Sequence, residues 1–223
     1  MVVVTVLFPG LTLDQRQQHI GSWSHQVLRA LGVTLRPNGE LLACPQMLVA
    51  NHVSWLDVMV LHALCPQVRF VAKAEVKHWP LIGRLVSGAQ TFFVDRARPR
   101  QTGEAVTAIA AALVNGATVA VFPEGTTGNG QAVLPFRPSL LQAALAAGVA
   151  IRPVALRYAD RHHRVSPSAP YIDDDTLLLS LWRTARAERL VVHVSVLPVQ
   201  APDTPDRRSL AVSLRTAIQT ALT

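Results

Sequence analysis

The sequence predicts an α/β fold, a single domain whose mostly parallel or mixed central sheet is flanked by helices. From residue 46 onward, short apolar runs alternate with longer segments of helical periodicity, the order typical of strands and the helices that cover them. The chain has 223 residues, and half of them are hydrophobic, which suffices for one substantial core. Neither an internal repeat nor a long linker divides it.

The first element is a predicted amphipathic helix at residues 13–31. Its apolar side chains share one stripe at helical spacing, and histidine and arginine residues surround that stripe. Trp23 and the basic residues suit a membrane interface, whereas an ordinary surface helix packed on the domain fits equally well. We therefore divide the chain into an N-terminal amphipathic, membrane-proximal segment, 1–36, and a main domain, 37–223. The apolar stretch before the helix is shorter than the about 20 residues needed to span a bilayer.

Further strands and helices are predicted along the main domain. Apolar runs place strands at 46–50, 68–72, 91–95, 118–122, 151–158 and 190–196. Helical periodicity places helices at 54–64, 102–115, 139–147 and 176–188. The closing helix has the clearest start, because Thr204, Pro205 and Asp206 supply a cap, a first-turn proline and an acidic first turn. Leucine and isoleucine then recur at helical spacing as far as residue 222.

Composition favours an anionic partner and a lipid surface. The chain carries 21 Lys and Arg against 14 Asp and Glu, a net charge of +7, and its mean hydropathy is +0.28. Such a surface suits nucleic acid or the acidic face of a membrane. Aromatic residues make up only 5% and no nucleic-acid-binding signature is present, so we expect no nucleic acid partner. Cys44 and Cys65 lie in apolar surroundings without metal-ligand spacing, which indicates reduced, buried thiols in a cytoplasmic setting.

His52 and Asp57 are the most informative pair of residues. Five steps along an ideal helix turn through about 140°, so the two side chains would not share a face within one helix. A turn predicted between the strand at 46–50 and the next helix lets His52 reach the carboxylate. Paired in this way, the imidazole acts as general base, Asp57 orients it, and the attacking oxygen comes from a substrate. The spacing alone also fits a capping or packing histidine.

Two further segments carry polar residues at predicted strand ends. A glycine-rich run follows the strand at 118–122, where backbone amides can approach a ligand closely and Glu124 supplies a carboxylate. The run is neither a Walker loop nor a dinucleotide fingerprint, and an ordinary glycine-rich turn also explains it. Lys73 and Arg96 each end a predicted strand, where they either bind an anionic group or meet solvent.

The order and spacing of these segments resemble the glycerophospholipid acyltransferase family. Two unusual blocks of that family, Asn-His-x-Ser-x-x-Asp and Phe-Pro-Glu-Gly-Thr, match residues 51–57 and 122–126. Its Gly-x-x-Phe-Ile/Val-Asp-Arg block resembles 88–96 with a slightly longer gap, and its proline-centred apolar strand resembles 150–154. The resemblance covers about residues 46–158 and implies a glycerol-3-phosphate acyltransferase-like fold, with 37–223 as the acyltransferase domain.

The resemblance implies a role for each matching residue. His52 becomes the general base and Asp57 its orienting partner. The expected substrate-binding residues are Lys73, Arg96, Glu124, Gly125, Thr126 and Thr127. Many lysophosphatidate acyltransferases carry arginine where this chain has Thr127, and such a charge-assisted contact is worth about 1.5 to 3 kcal/mol. Either Arg96, Lys73 or Arg137 compensates, or the acceptor is not a phosphomonoester.

Acyl transfer is the reaction that the resemblance implies. A fatty acyl group moves from an acyl-CoA or acyl-ACP thioester to the 2-hydroxyl of 1-acyl-sn-glycerol-3-phosphate, giving phosphatidate in phospholipid biosynthesis. Lyso-ornithine lipid or another lysophospholipid is the alternative acceptor. The chain has no Gly-x-Ser-x-Gly elbow, which agrees with direct transfer. Neither a cofactor nor a metal is expected, because the thioester is a co-substrate and the histidines do not cluster at ligand spacing.

The expected partners are the lysophospholipid, the acyl thioester, an anionic membrane surface and, for an acyl-ACP donor, acyl carrier protein. The expected location is the cytoplasmic face of the inner membrane, with peripheral or weak attachment. Two rival interpretations stay open: a hydrolase that uses the same histidine and aspartate to activate water, and a non-catalytic peripheral lipid-binding protein.

Overall fold

The structure, a computed structural model, describes residues 10–41, 45–78, 82–95, 99–172, 174–202 and 206–223. Its strands are β1 (Thr34–Asn38), β2 (Gln46–Ala50), β3 (Arg69–Lys73), β4 (Phe92–Val94), β5 (Thr118–Val121), β6 (Ala150–Ala159) and β7 (Val191–Val196). Its helices are α1 (Leu13–Ala30), α2 (Leu56–Leu64), α3 (Ile82–Gly88), α4 (Pro99–Val114), α5 (Gln142–Ala147), α6 (Leu177–Ala185) and α7 (Arg207–Leu222), with a 3-10 helix at Ala74–His78. The predicted α/β fold is confirmed.

The sheet of the described residues has the strand order β1-β7-β6-β2-β5-β3-β4. The central strand, β2, pairs in parallel with β5 on one side and with β6 on the other. β3 and β4 continue the parallel arrangement beyond β5, whereas β7 runs antiparallel to β6 and parallel to β1. The sheet is therefore mostly parallel, and the carboxyl ends of β2, β5 and β3 meet at one edge, where open α/β sheets bind ligands.

Helices cover both faces of the sheet, so β2 is buried along its whole length. Successive residues of this strand point into two different cores. Leu48 packs with side chains of α1 and α2, and Met47 packs with side chains of α4, α5 and α7. β5 divides in the same manner, with Ala120 in the first core and Val119 in the second. The carboxyl edge of the sheet is therefore formed by its buried central strands.

All six predicted strands are present, and β2 has the predicted bounds. β1, α3 and the 3-10 helix were not predicted. β1 was not predicted because it is an edge strand with mostly exposed residues and a proline, and so lacks an apolar run. β1 includes residue 36, the predicted end of the N-terminal segment, and its residues on both sides of this boundary pair with β7.

The first and last helices begin at hydrogen-bonded caps. Thr12 accepts from the amide of Gln15, whose side chain accepts from the amide of Thr12 in return. The prediction of a Thr204 cap for α7 was wrong, because Asp206 is the N-cap and its carboxylate accepts from the amides two and three residues on. Thr204 and Pro205 themselves lie outside the described residues. No helix among those described is both long and apolar enough to cross a bilayer.

Candidate active site

The candidate site lies on the turn between β2 and α2, at the carboxyl edge of the sheet. Asn51 fixes the start of this turn, since its side chain donates to the Leu156 carbonyl at 2.9 Å and accepts from the Leu156 amide at 2.8 Å. Leu156 belongs to the neighbouring strand β6. The asparagine therefore replaces the backbone pairing that β2 gives up as it leaves the sheet. The bend predicted for His52 is present.

His52 and Asp57 are in direct contact across this turn. The Nδ1 atom of His52 lies 2.8 Å from Oδ2 of Asp57, whose side chain is fully buried, while the histidine side chain is 20% exposed. Because a carboxylate only accepts hydrogen bonds, the bonded Nδ1 carries the proton and Nε2 keeps its lone pair. The geometry leaves a partly accessible Nε2 able to accept a proton from a bound molecule.

Asp57 is held by donors on every side. Its Oδ2 atom also accepts from the amides of Val53 and Ser54, at 2.7 and 2.9 Å. Its Oδ1 atom accepts from the Tyr158 hydroxyl at 2.7 Å. Burial, followed by the charge of Asp57, raises the pKa of Tyr158 well above its ordinary value, so the phenol remains a donor. These bonds fix the carboxylate in the orientation that His52 requires.

The Phe122 ring packs against one face of the His52 imidazole. The rings of His52 and Phe122 are stacked with centroids 4.0 Å apart and planes 13° from parallel. Phe122 is the first residue after β5, and it is buried. Because β5 is the neighbour of β2, the glycine-rich run begins directly against the histidine ring. Phe122 thus limits the ring to the plane that points Nδ1 at Asp57.

Glu124 connects the two segments of the site. One carboxylate oxygen accepts from the His52 amide at 2.6 Å, and the other accepts from the Leu134 amide at 2.9 Å. Desolvation by burial raises the pKa of Glu124, and the hydrogen bonds from the two backbone amides partly oppose that rise. Both oxygens serve the backbone, which makes Glu124 a positioning residue for the turn. The predicted acceptor-binding role of Glu124 stays a prediction.

The glycine-rich run folds back over the turn between β2 and α2. Gly125 has a φ of +80°, a conformation that glycine adopts without strain, and Gly128 donates its amide to the His52 carbonyl at 2.8 Å. Thr127 donates its hydroxyl to the Tyr171 carbonyl, and the Tyr171 amide donates to Val53 at 3.0 Å. Thr127 therefore holds the segment around Tyr171 against the turn between β2 and α2.

Among the other predicted residues, Thr126, Lys73 and Arg137 belong to the described part of the chain. Thr126 is exposed beside Glu124, and Lys73 is exposed at the carboxyl end of β3, on the same edge of the sheet as His52. Arg137 donates its amide to the Pro123 carbonyl at 2.9 Å, which places it next to the glycine-rich run. Arg96 lies outside the described residues, and its phosphate-binding role stays a prediction.

Other predictions concern thiols and metals. Cys65 is buried, and Cys44 lies outside the described residues. Among the residues that the structure describes, no three His, Cys, Asp or Glu side chains are grouped closely enough to hold a metal ion. His162 and His163 lie in an exposed turn, where His163 bonds to Asp160.

Tyr158 was missed by the sequence analysis. It lies 101 positions from Asp57 in a mostly apolar strand, where the sequence suggests only a core-packing role. The available signal was chemical: a fully buried tyrosine needs a partner for its hydroxyl.

Comparison with known proteins places the site in a family context. The family model described as Acyltransferase matches residues 35–157. A lyso-ornithine lipid O-acyltransferase of Pseudomonas aeruginosa is 39% identical over 217 residues, which cover 96% of this chain and 82% of that protein. A 1-acyl-sn-glycerol-3-phosphate acyltransferase of Neisseria meningitidis is 33% identical, covering 92% of this chain and 81% of that protein. The crystal structure of a 1-acyl-sn-glycerophosphate acyltransferase from Thermotoga maritima shares the fold, with a TM-score of 0.73 at 20% identity over 99% of this chain and 89% of that one.

Proposed function

Because the chain belongs to the acyltransferase family, we propose that it transfers a fatty acyl group to a hydroxyl of a lysophospholipid, as an enzyme of phospholipid metabolism. One observation carries this proposal. The Nδ1 atom of His52 is bound by a buried, fully hydrogen-bonded Asp57, while the ring remains partly accessible. That arrangement is a general base and its orienting acid, with the nucleophile supplied by a substrate.

The reaction follows from this geometry in two steps. The acceptor hydroxyl oxygen attacks the carbonyl carbon of an acyl thioester while its proton passes to Nε2 of His52. Asp57 stabilises the imidazolium, because its charge is bonded to the Nδ1 proton. The tetrahedral intermediate then expels the thiolate, which takes the proton from Nε2 and leaves as a thiol. The acyl group ends in an ester bond, and no acyl-enzyme forms. The donor is acyl-CoA or acyl-ACP.

The leading acceptor is 1-acyl-sn-glycerol-3-phosphate, with the 2-hydroxyl as nucleophile and phosphatidate as product. Lys73 lies on the correct edge of the sheet to contact the phosphate, and Arg96 is the predicted second cation. A specific observation favours lyso-ornithine lipid as a second candidate. Thr127 brings no charge to the site, and its hydroxyl is occupied by the Tyr171 carbonyl. An acceptor without a phosphomonoester would not need the missing guanidinium.

The proposed location is the cytoplasmic face of the inner membrane, where the enzyme attaches peripherally. A net charge of +7 supports this location, since the anionic surface of that leaflet attracts basic proteins. Cells fractionated with and without high salt test it: a peripheral, charge-assisted protein leaves the membrane pellet as salt rises.

Purified protein incubated with a labelled thioester and a panel of lysophosphatidate, lyso-ornithine lipid and other lysophospholipids tests the reaction. We expect a doubly acylated product, and a drop in turnover of about 10² to 10⁴-fold for His52→Ala. His162→Ala, which removes an imidazole from an exposed turn, serves as the matched control. Free fatty acid without the acylated lipid would indicate a hydrolase, and near-normal transfer by folded His52→Ala would refute the mechanism.

A further inference from the structure

Helix α6 is inverted relative to an ordinary surface helix. Its two buried residues, Ser180 and Thr184, are polar, while Leu178 and Trp182 are 77% and 57% exposed. Residues four positions apart share one face of a helix, so each pair lies on a single face. The two pairs are offset by two positions, which places them on opposite faces. Leu179 is also exposed and widens the outer face. Leu178, Leu179 and Trp182 together form what we term the α6 apolar face.

The inner face of α6 is polar because it is hydrogen-bonded to the turn that carries His52 and to the segment around Ser168. The Trp55 indole, in the same turn as His52, donates to the Ser180 hydroxyl at 3.1 Å. The Thr184 hydroxyl and the Arg183 guanidinium both donate to the Ser168 carbonyl, at 3.5 and 3.4 Å. Ordinary core packing would have turned the leucines inward. The orientation of α6 instead satisfies these polar groups and leaves large apolar side chains in contact with solvent, an arrangement typical of a docking surface.

The rim of the apolar face is basic at the C-terminal end of α6. The Arg186 guanidinium lies 4.7 Å from the centroid of the Trp182 ring. The amide of Arg161 donates to the Glu188 carbonyl at 3.0 Å, which joins the turn at 160–164 to this end of the helix. Segments 160–164 and 185–189 together contain four arginines and two acidic residues. Leucine and tryptophan bordered by arginine suit the boundary between lipid headgroups and acyl chains.

The N-terminal side of α6 is acidic. Asp174 is exposed there, and Asp175 pairs at 2.7 Å with Arg183, which lies in the last turn of the helix. Arg183 also donates to the Pro170 carbonyl, so this ion pair holds the segment that leads to Tyr171 and the catalytic turn. The attraction to an anionic surface therefore comes from the C-terminal end of the helix, and the apolar contact comes from its middle.

We propose that the α6 apolar face docks on an anionic phospholipid bilayer, with Leu178, Leu179 and Trp182 inserted below the headgroups and the neighbouring arginines on lipid phosphates. The inference rests on the proposed function, since a lysophospholipid acceptor resides in the bilayer. It names the surface that presents the catalytic turn to that bilayer. Lipid is favoured over a protein partner because the helix bonded to the catalytic turn is the one that carries the apolar face.

Sedimentation with vesicles of phosphatidylglycerol and phosphatidylethanolamine tests the proposal on the full chain. Leu178→Asp should weaken vesicle binding by about tenfold or more, because a charge replaces a side chain that would enter the lipid. Val212→Asp on α7 is the matched control, since Val212 is an aliphatic residue of similar exposure, 67%, on another helix. Trp182→Ser is a second variant in case Leu178→Asp fails to fold, and thermal unfolding checks each protein.

Fluorescence quenching by brominated lipid gives an independent reading. Trp182→Phe should remove most of the quenching that vesicles cause, whereas Trp23→Phe, at the exposed tryptophan of α1, should leave it in place. The opposite result would assign the bilayer contact to α1 and overturn the proposal. Equal loss of binding in Leu178→Asp and Val212→Asp would overturn it too. So would a wild-type dimer that Leu178→Asp dissociates, because a second copy would then cover the face.

The vesicle experiments stay separate from the enzymatic assay. Acyl transfer by the wild-type protein is measured with acceptors in detergent micelles, where no bilayer is present. Failure there refutes the proposed function and leaves the docking result standing. Transfer in micelles combined with vesicle binding that ignores Leu178 and Trp182 refutes the docking surface alone.

Discussion

His52 and His62 lie ten residues apart and show what distinguishes the proposed general base from a packing histidine. His52 is stacked on Phe122, bonded through Nδ1 to Asp57 and partly exposed. His62 is buried in α2, packed edge-on against Phe70 at 4.8 Å, with no hydrogen-bond partner for its Nδ1 in the described part of the chain. Burial lowers the pKa of His62 to about 4, against a slight opposing effect of the Pro66 carbonyl.

The two histidines are joined by aromatic contacts, since Phe70 stacks on Phe122 with ring centroids 6.0 Å apart. Their aromatic surroundings are therefore similar. What differs is the acidic partner and the access to the second ring nitrogen. A buried imidazole without a carboxylate stays neutral and packs as an apolar ring. His52 is instead bonded to a buried carboxylate and partly exposed, which suits the proposed role as general base.

Asp57→Asn removes the feature that separates the two histidines, so we expect the largest effect from it. The asparagine keeps the shape of the side chain but brings two N–H donors to a position already surrounded by donors. We expect kcat to fall by about 10² to 10⁴-fold and the free energy of unfolding to drop by about 1 to 3 kcal/mol. Steady-state assays and urea unfolding measure both, with Asp174→Asn, at an exposed carboxylate, as the control. Wild-type kcat in Asp57→Asn would contradict the role of the pair.

His62→Leu tests the other member of the comparison through stability. The folded-state pKa of about 4 lies below the unfolded value of 6.5, so only the unfolded chain binds this proton between those limits. Stability from the neutral ring is thus present above pH 6.5 and lost as pH falls towards 4, by about 3 kcal/mol in all. Leucine cannot titrate, so the difference between wild type and variant should grow by this amount over that range. Urea unfolding from pH 7 to 4 measures it, and acyl transfer at pH 7 should persist. A parallel pH dependence in the two proteins would show that His62 is not buried as a neutral ring.

The contact between His52 and Asp57 was predictable because it is local. An apolar strand run ends at Ala50 and a helix was predicted from residue 54, so a turn had to lie between them; α2 itself begins at Leu56. A five-residue separation across such a turn leaves few arrangements, and one of them puts the imidazole on the carboxylate. The glycine-rich run was placed correctly for a similar reason, since it follows a strand whose neighbour in the sheet is β2.

Contacts that depend on the tertiary arrangement were not predictable. From the sequence, Glu124 was predicted to be a ligand-binding carboxylate. Only the packing of two loops reveals that both its oxygens accept hydrogen bonds from backbone amides. The helix at 176–188 was predicted, but its orientation was not. Hydrophobicity alone would bury Leu178 and expose Ser180, and the hydrogen bond from Trp55 reverses that choice.

Tyr158→Phe gives the smallest of the three effects and shows how much of the difference between the histidines comes from support behind Asp57. The change deletes one hydroxyl in a fully buried position and leaves Asp57 with its bonds to His52 and two amides. A hydrogen bond to a charged group is worth about 1.5 to 3 kcal/mol, so kcat should fall by about 10- to 150-fold. KM should stay near the wild-type value, because the buried phenol acts through Asp57 and does not touch the substrate.

The pKa of Tyr158 is raised well above its ordinary value, so the phenol remains protonated and the ratio of the wild-type rate to the Tyr158→Phe rate should be constant across neutral pH. Tyr171→Phe is the matched control, since Tyr171 joins the site through its backbone amide and carbonyl. A rise in KM with unchanged kcat would place Tyr158 in substrate binding instead.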